Sequence, residues 1–270
     1  MGRRMPNTDV PAIEVHGLTV KFPVRGGVLG NVKKFFTAVD GVTFTLERGK
    51  ILSVVGESGC GKSTLVKSLV GLVPMTCEKF NLFGNTVQNG KLPDGKRVCD
   101  LVQMVFQDPY SSLNPRQTVE EIMTAPLMAR KVPFEEARKR ACELLDRVSI
   151  PREALAKFPH EFSGGQRQRL CIARSLMVKP KVLFCDEVTS ALDVSVQAQI
   201  LHLLDDLRND LGLSILFISH DMQVVRAISD EVLVMYFGKV VERGAANNVL
   251  VSPQHDYTKK LLSSVPVIKR

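Results

Sequence analysis

Residues Gly56-Glu57-Ser58-Gly59-Cys60-Gly61-Lys62-Ser63 follow the spacing GxxxxGK[ST]. Types in this order suit one task, holding a polyphosphate. The glycines let successive backbone N–H groups turn inward as an anion nest. A helix beginning near Ser63 adds the positive end of its dipole. Lys62 is placed to reach the β- and γ-phosphates of a nucleoside triphosphate, and the Ser63 hydroxyl to ligate Mg²⁺. Thr64 is expected beside the α-phosphate. The loop alone does not separate kinases, GTPases and motor ATPases.

A second group of residues could act on such a ligand. Lys181-Val182-Leu183-Phe184-Cys185 is an apolar run ending in Asp186-Glu187. A buried strand there delivers Asp186 to the metal, through water, and Glu187 to the attacking water as its polarising base. The run Leu101–Phe106 ends at Gln107, which could sense Mg²⁺ and water. Ser214–Ser219 ends at His220-Asp221, on the strand edge where parallel sheets bind ligands, so His220 could contact the γ-phosphate.

These residues need a scaffold of strands and helices. Ile13–Phe22 and Ala38–Leu46 alternate as strands, with Pro23–Phe36 expected as a glycine-containing loop (Gly26, Gly27, Gly30). Ile51–Val55 is a short apolar strand, and Ser63–Val73 places Leu65, Val66, Leu69, Val70 and Val73 on one helical face. Val119–Met128 and Pro133–Val148 read as helices. Beyond Pro159 the expected order is helix Gly165–Val178, strand Lys181–Cys185, helix Val194–Asp210, strand Ser214–Ser219, helix Met222–Ile228, and strands Glu231–Tyr236 and Gly238–Gly244. Alternating β and α elements predict a largely parallel sheet covered by helices.

The bulk composition agrees with one large α/β domain or two small ones: 270 residues, 44% hydrophobic and 24% charged. No stretch approaches the roughly 18 apolar residues of a membrane-spanning helix. Arg3 and Arg4 have no apolar segment behind them, so no secretory signal is expected. The net charge of +8 suits polyphosphates, nucleic acid or anionic headgroups. Its basic residues are scattered, without the aromatic-interleaved run of a nucleic-acid face, and no nucleic-acid partner is expected. The six cysteines form no CxxC pair, so neither a zinc ribbon nor a redox dithiol is indicated.

Phe162-Ser163-Gly164-Gly165-Gln166-Arg167-Gln168-Arg169 resembles the signature motif of ABC-type ATPases. Ser163 and two glycine amides at a helix start make a second anion site. The resemblance extends in family order over about residues 12–266: Walker A Gly56–Ser63, Q-loop Gln107, signature Ser163–Gln166, Walker B Val182–Asp186, Glu187, D-loop Ser190–Asp193, and His220. It implies that the signature of one subunit closes on ATP held by another, that Asp193 of the D-loop is among the nucleotide-binding residues, and that Phe22 stacks on adenine. Val188 stands where the family usually has Pro, and Phe162 where it has Leu.

Finer resemblance points to the oligopeptide/dipeptide permease ATPases. It is carried by Val55–Leu65, Gln103–Arg116, Asp193–Leu201 and the tail His255-Asp256-Tyr257-Thr258-Lys259-Lys260-Leu261-Leu262, close to HPYTxxLL. Importers of nickel, oligosaccharide and antimicrobial peptide, and an ATPase of phosphonate breakdown, are similar as well. The implied fold is an α/β P-loop NTPase with a RecA-like core, an N-terminal antiparallel β-subdomain and an inserted α-helical subdomain. Residues 12–250 form the ATPase domain, with the helical subdomain at about 108–177. The tail 251–270 is expected to end before the cysteine-bearing extension of many members. The implied ligands are ATP and Mg²⁺. The implied partners are a second ABC ATPase subunit in a heterodimer, two transmembrane permease subunits and, indirectly, an extracytoplasmic substrate-binding protein. The implied location is peripheral, on the cytoplasmic face of the cell membrane.

Overall fold

The computed structural model of the chain describes residues 10–25 and 32–263. Its strands are β1 (Ile13–Arg25), β2 (Val32–Leu46), β3 (Ile51–Val55), β4 (Lys79–Leu82), β5 (Asn85–Thr86), β6 (Val102–Val105), β7 (Val182–Asp186), β8 (Ser214–Ile218), β9 (Glu231–Tyr236) and β10 (Lys239–Ala245). Its helices are α1 (Lys62–Leu69), α2 (Val98–Leu101), α3 (Pro109–Ser112), α4 (Val119–Met128), α5 (Phe134–Arg147), α6 (Gly164–Leu176), α7 (Val194–Leu211), α8 (Met222–Ile228), α9 (Ala246–Val251) and α10 (Asp256–Ser263). The described residues fall into two compact units, one from residues 1–98 and 214–270, the other from 99–213.

The first unit holds an antiparallel sheet in the order β2-β1-β4-β5. Ile13, Val15, Leu18 and Val20 face Val39, Val42, Phe44 and Leu46, all buried. The alternation skips a residue between Val15 and Leu18, a bulge at Gly17, whose N–H donates to Thr43 Oγ1 at 3.0 Å. In the same unit β3 lies between β8 and β9, parallel to both, and β10 closes antiparallel on β9. Every residue of β3 and β8 is buried, as expected of strands covered on both faces. Against β9 pack α8, α9 and α10 through Val225, Val232, Val234, Val249, Leu250 and Tyr257.

The second unit pairs β6 and β7 in parallel, Val102 opposite Val182 through Val105 opposite Cys185. Parallel neighbours need a long crossover, and here it carries helices. Thr118 and Glu121 form a capping box at the start of α4. Ala137, Ala141, Leu144 and Leu145 recur on one face of α5 and are buried.

The expected loop over Pro23–Phe36 is corrected. β1 runs through Arg25 and β2 begins at Val32, with Phe22 opposite Phe36 and Val24 opposite Lys34. The side chains of Val24, Phe35 and Phe36 are exposed, so no core alternation marks the strands there. Pro23 is tolerated because β4 pairs only with Ile13–His16, leaving the other side of β1 as an edge. Gly26, Gly27 and Gly30 lie outside the described residues. The helix after the phosphate loop ends at Leu69 rather than at Val73, since Gly71 takes a left-handed φ of 81°.

Candidate functional site

The residues singled out by sequence sit mostly just beyond strand ends and at helix starts. The first is the turn from β3 into α1, in the first unit. Gly56 has φ +149° and Gly61 φ +107°, and a Cβ would lie 2.2 Å from Met235 O at Gly56 and 2.3 Å from Ala38 O at Gly61. Only glycine fits either place, by conformation and by space. The chain can therefore turn tightly enough to aim the first amides of α1 at a ligand.

Lys62, the first residue of α1, is 4% exposed. Its ammonium donates to Gly56 O at 2.7 Å and Glu57 O at 2.9 Å, with Cys60 Sγ at 3.9 Å. A cation is thus held inside the arc of the loop by its own carbonyls, where a phosphate would meet it. Glu57, Ser58 and Gly59 are exposed on the rim, while Ser63 and Thr64 sit half-buried on α1. Burial pushes the Cys60 thiol up, against the opposing charge of Lys62, so this cysteine packs rather than reacts. Phe22, 38% exposed, lies on β1, and His220 is exposed directly after β8 and its next residue, Ser219. Ser219 Oγ accepts from Asp221 N–H at 3.0 Å, and Asp221 in turn caps α8.

In the second unit, β6 and β7 lie side by side and bring their C-terminal residues together. Gln107 Nε2 donates to Glu187 Oε2 at 3.0 Å. Asp186 ends β7 and is buried. Glu187 has φ +49°, in the left-handed region that side chains rarely adopt. Its carbonyl is fixed by Ser190, whose N–H and hydroxyl donate to it at 3.1 and 2.9 Å. A left-handed backbone and a side-chain donor thus coincide at this carboxylate.

The same unit contains the signature residues. Ser163 is the N-cap of α6, accepting from Gln166 N–H at 3.3 Å while Gln166 Oε1 accepts from Ser163 N–H at 3.0 Å. The amides of Gly164 and Gly165 open this 13-residue helix. A Cβ on Gly165 would lie 2.4 Å from Val196 Cγ1, so α6 and α7 touch there as closely as they can. Asp193 caps α7, accepting from Val196 N–H at 2.9 Å and Ser195 hydroxyl at 2.7 Å. The Ser195 bond, followed by the amide bonds, holds its carboxyl below the usual range.

No group of three His, Cys, Asp or Glu residues among the described residues is arranged to hold a metal. Taken separately, the Asp186 carboxylate and the Gln107 amide oxygen in the second unit and the Ser63 hydroxyl in the first are hard oxygen donors, of the chemistry that suits Mg²⁺.

The ABC transporter family model matches residues 39–190, more than half of the chain. The chain belongs to the ABC transporter family. Among curated relatives, the glutathione import ATP-binding protein GsiA of Pectobacterium atrosepticum is 47% identical over 264 residues, 97% of this chain and 42% of the relative. GsiA of Escherichia coli K12 is 47% identical over 261 residues, 95% of this chain and 41% of the relative. The chain thus spans about 42% of the length of the first of these relatives. Among solved structures, cbiO1 of Clostridium perfringens, part of the ABC transporter complex cbiONQ, superposes with TM-score 0.75 at 26% identity, covering 90% of this chain and 92% of that one. The ATP-binding cassette MJ0796, in a dimeric post-hydrolysis state bound to ADP and Pi, gives TM-score 0.73 at 25% identity over 87% and 98%.

As an ABC chain it departs from the usual pattern at Val188 and Phe162, and both side chains are buried. They act in packing. One contact escaped sequence reasoning. Glu57 N–H donates to the Tyr257 hydroxyl at 2.9 Å, from a residue in the C-terminal tail. The HDYT motif was visible, but nothing in spacing tied it to a loop so far away in sequence. Among the described residues no helix is long and apolar enough to cross a membrane.

Proposed function

We propose that the chain is the ATP-hydrolysing subunit of an ABC importer for di- and oligopeptides. The observation that carries this reading is the 47% identity, over 97% of the chain, with a glutathione import ATP-binding protein. Glutathione is itself a tripeptide. The subfamily motifs at Gln103–Arg116 and His255–Leu262 point the same way.

The proposed roles rest on the resemblance to ABC-type ATPases, and at Lys62 and Glu187 on local contacts as well. The loop amides of Glu57–Ser63 and the Lys62 ammonium bind the phosphates, with Thr64 at the α-phosphate and Phe22 stacked on adenine. Ser63, Asp186 and Gln107 supply the oxygens for Mg²⁺, which neutralises charge on the phosphates when bound. Glu187 accepts the proton of the attacking water, and the bond from Gln107 fixes its carboxylate in place. His220 contacts the γ-phosphate. Ser163, Gly164, Gly165 and Gln166 close on ATP held by a second ABC ATPase subunit, with Asp193 at the same interface. In the cell this partner is a sister chain, giving a heterodimer.

The second unit also has a cavity of about 390 Å³ lined by Gln103, Phe106, Gln117, Ile122, Pro126 and Arg174. It lies one residue from the Gln107 turn and between the helices of the insertion. Mixed apolar and polar walls of this kind suit an inserted segment of a membrane subunit. Two such permease subunits, fed by an extracytoplasmic binding protein, place the chain peripherally on the cytoplasmic face of the membrane. Affinity purification from native membranes tests the reading. Recovery of two membrane-spanning subunits and peptide uptake dependent on ATP is the expected result; uptake unaffected by deleting the chain contradicts it.

A further inference from the structure

The C-terminal helix α10 reaches the phosphate loop through one hydroxyl, and the contact falls on a telling peptide. The unit joining Gly56 to Glu57 donates its N–H to Tyr257 and accepts the Lys62 ammonium on its carbonyl, at 2.9 and 2.7 Å. A peptide is a rigid plane, so rotating it would break both bonds together. Gly56, at φ +149°, has no Cβ to resist such a rotation. An external hold is therefore what keeps this plane, and with it Lys62, in one orientation.

Tyr257 is built to be that hold. It is 8% exposed, its ring lies 4.1 Å from that of Tyr236 at 35°, and it packs in the cluster with Val55, Val232 and Val234. Val55 is the last residue of β3, directly before Gly56. The backbone leading to Tyr257 is tied down in turn. Tyr257 N–H donates to His255 Nδ1 at 3.1 Å. The N–H groups of Gln254 and His255 donate to the Glu242 carboxylate on β10 at 2.8 and 3.1 Å. The network runs from β10 through the tail to the loop, over 200 residues of sequence between Glu57 and Tyr257.

We propose that Tyr257 is a positioning residue for nucleotide binding, holding the Gly56–Glu57 peptide so that Lys62 stays aimed at the phosphates. The HDYT tail is then a working part of the phosphate site. This rests on the reading of Gly56–Ser63 as an ATP site, and the test separates the two.

MgATP binding to the full chain is measured by calorimetry for wild type, Tyr257→Phe and Lys62→Ala, with Mg-tripolyphosphate as a second probe carrying only phosphate contacts. Phenylalanine keeps the ring packing and removes the hydroxyl. The expected result is an MgATP Kd weaker by about 3- to 10-fold in Tyr257→Phe, the worth of one neutral hydrogen bond. Tripolyphosphate should weaken by the same factor, while the nucleotide-free Tm moves by no more than about 3 °C. A role confined to folding predicts unchanged Kd values for both probes, and that result overturns the proposal. Wild type that binds neither probe, or Lys62→Ala that binds both as tightly as wild type, overturns the underlying ATP-site reading and the proposal with it.

Discussion

The Gln107 side-chain amide donates to the Glu187 carboxylate at 3.0 Å, joining two residues 80 positions apart at the ends of neighbouring parallel strands. The left-handed backbone at Glu187 and the donor aimed at it together fix the orientation of its carboxylate. Replacing Gln107 with Ala removes both the donor to Glu187 and a proposed Mg²⁺ oxygen, so kcat for ATP should fall by about 10-fold and MgATP Kd should weaken as well. Steady-state phosphate release with parallel calorimetry checks it. An unchanged kcat would mean the contact is incidental.

Lys62 is nearly fully buried and makes three contacts inside its own loop. Lys62→Ala removes the cation proposed to meet the phosphates and leaves two carbonyls without it. MgATP affinity should fall about 100-fold, on the scale of a lost charge-assisted contact to phosphate. Titration followed by calorimetry reads this directly.

The α6–α7 contact at Gly165 makes a sharper prediction about packing. An alanine there would put its Cβ 2.4 Å from Val196 Cγ1, and a buried clash of this kind costs about 1–3 kcal/mol. Shortening the opposing side chain should restore room. Gly165→Ala is expected to lower stability by that amount in urea, and the double variant Gly165→Ala/Val196→Ala to recover most of it. Losses that simply add would show that the strain lies elsewhere.

Much of this architecture was legible from the amino-acid pattern, for identifiable reasons. β3, β7 and β8 are fully buried parallel strands, so they stand out as short, mostly apolar runs leading to the residues singled out by sequence. α5 announces itself by Ala137, Ala141, Leu144 and Leu145 among charges. Elements that bury little were illegible. The outer half of the β1–β2 hairpin exposes Val24, Phe35 and Phe36, and β4 and β5 are too short to show a period. The proposed site residues could be named from sequence because their motifs are local. The Tyr257–Glu57 bond was not, since a long-range contact to a backbone amide leaves no residue-type signal at the amide.

On the antiparallel sheet, Lys79 Nζ lies 2.7 Å from Glu14 Oε1, and this bond, with those from His16 and Asn81, lowers the Glu14 pKa from 4.5 to about 2. A depressed carboxylate stabilises the fold fully above its unfolded value and loses that contribution as pH falls from 4.5 toward 2. The pair is partly exposed, so the effect is a fraction of the nominal linkage. Glu14→Gln should be slightly less stable than wild type at pH 6, and the gap should close near pH 2 in acid titrations followed by circular dichroism.

The central claim is that this chain turns over ATP with Glu187 as the base. Phosphate release from MgATP by the transporter complex purified through this chain tests it most directly, comparing wild type with Glu187→Gln. Turnover by Glu187→Gln is expected to fall by about 100-fold or more, with MgATP still bound and the ATP-bound dimer accumulating. Phosphate release by the variant at the wild-type rate would contradict it.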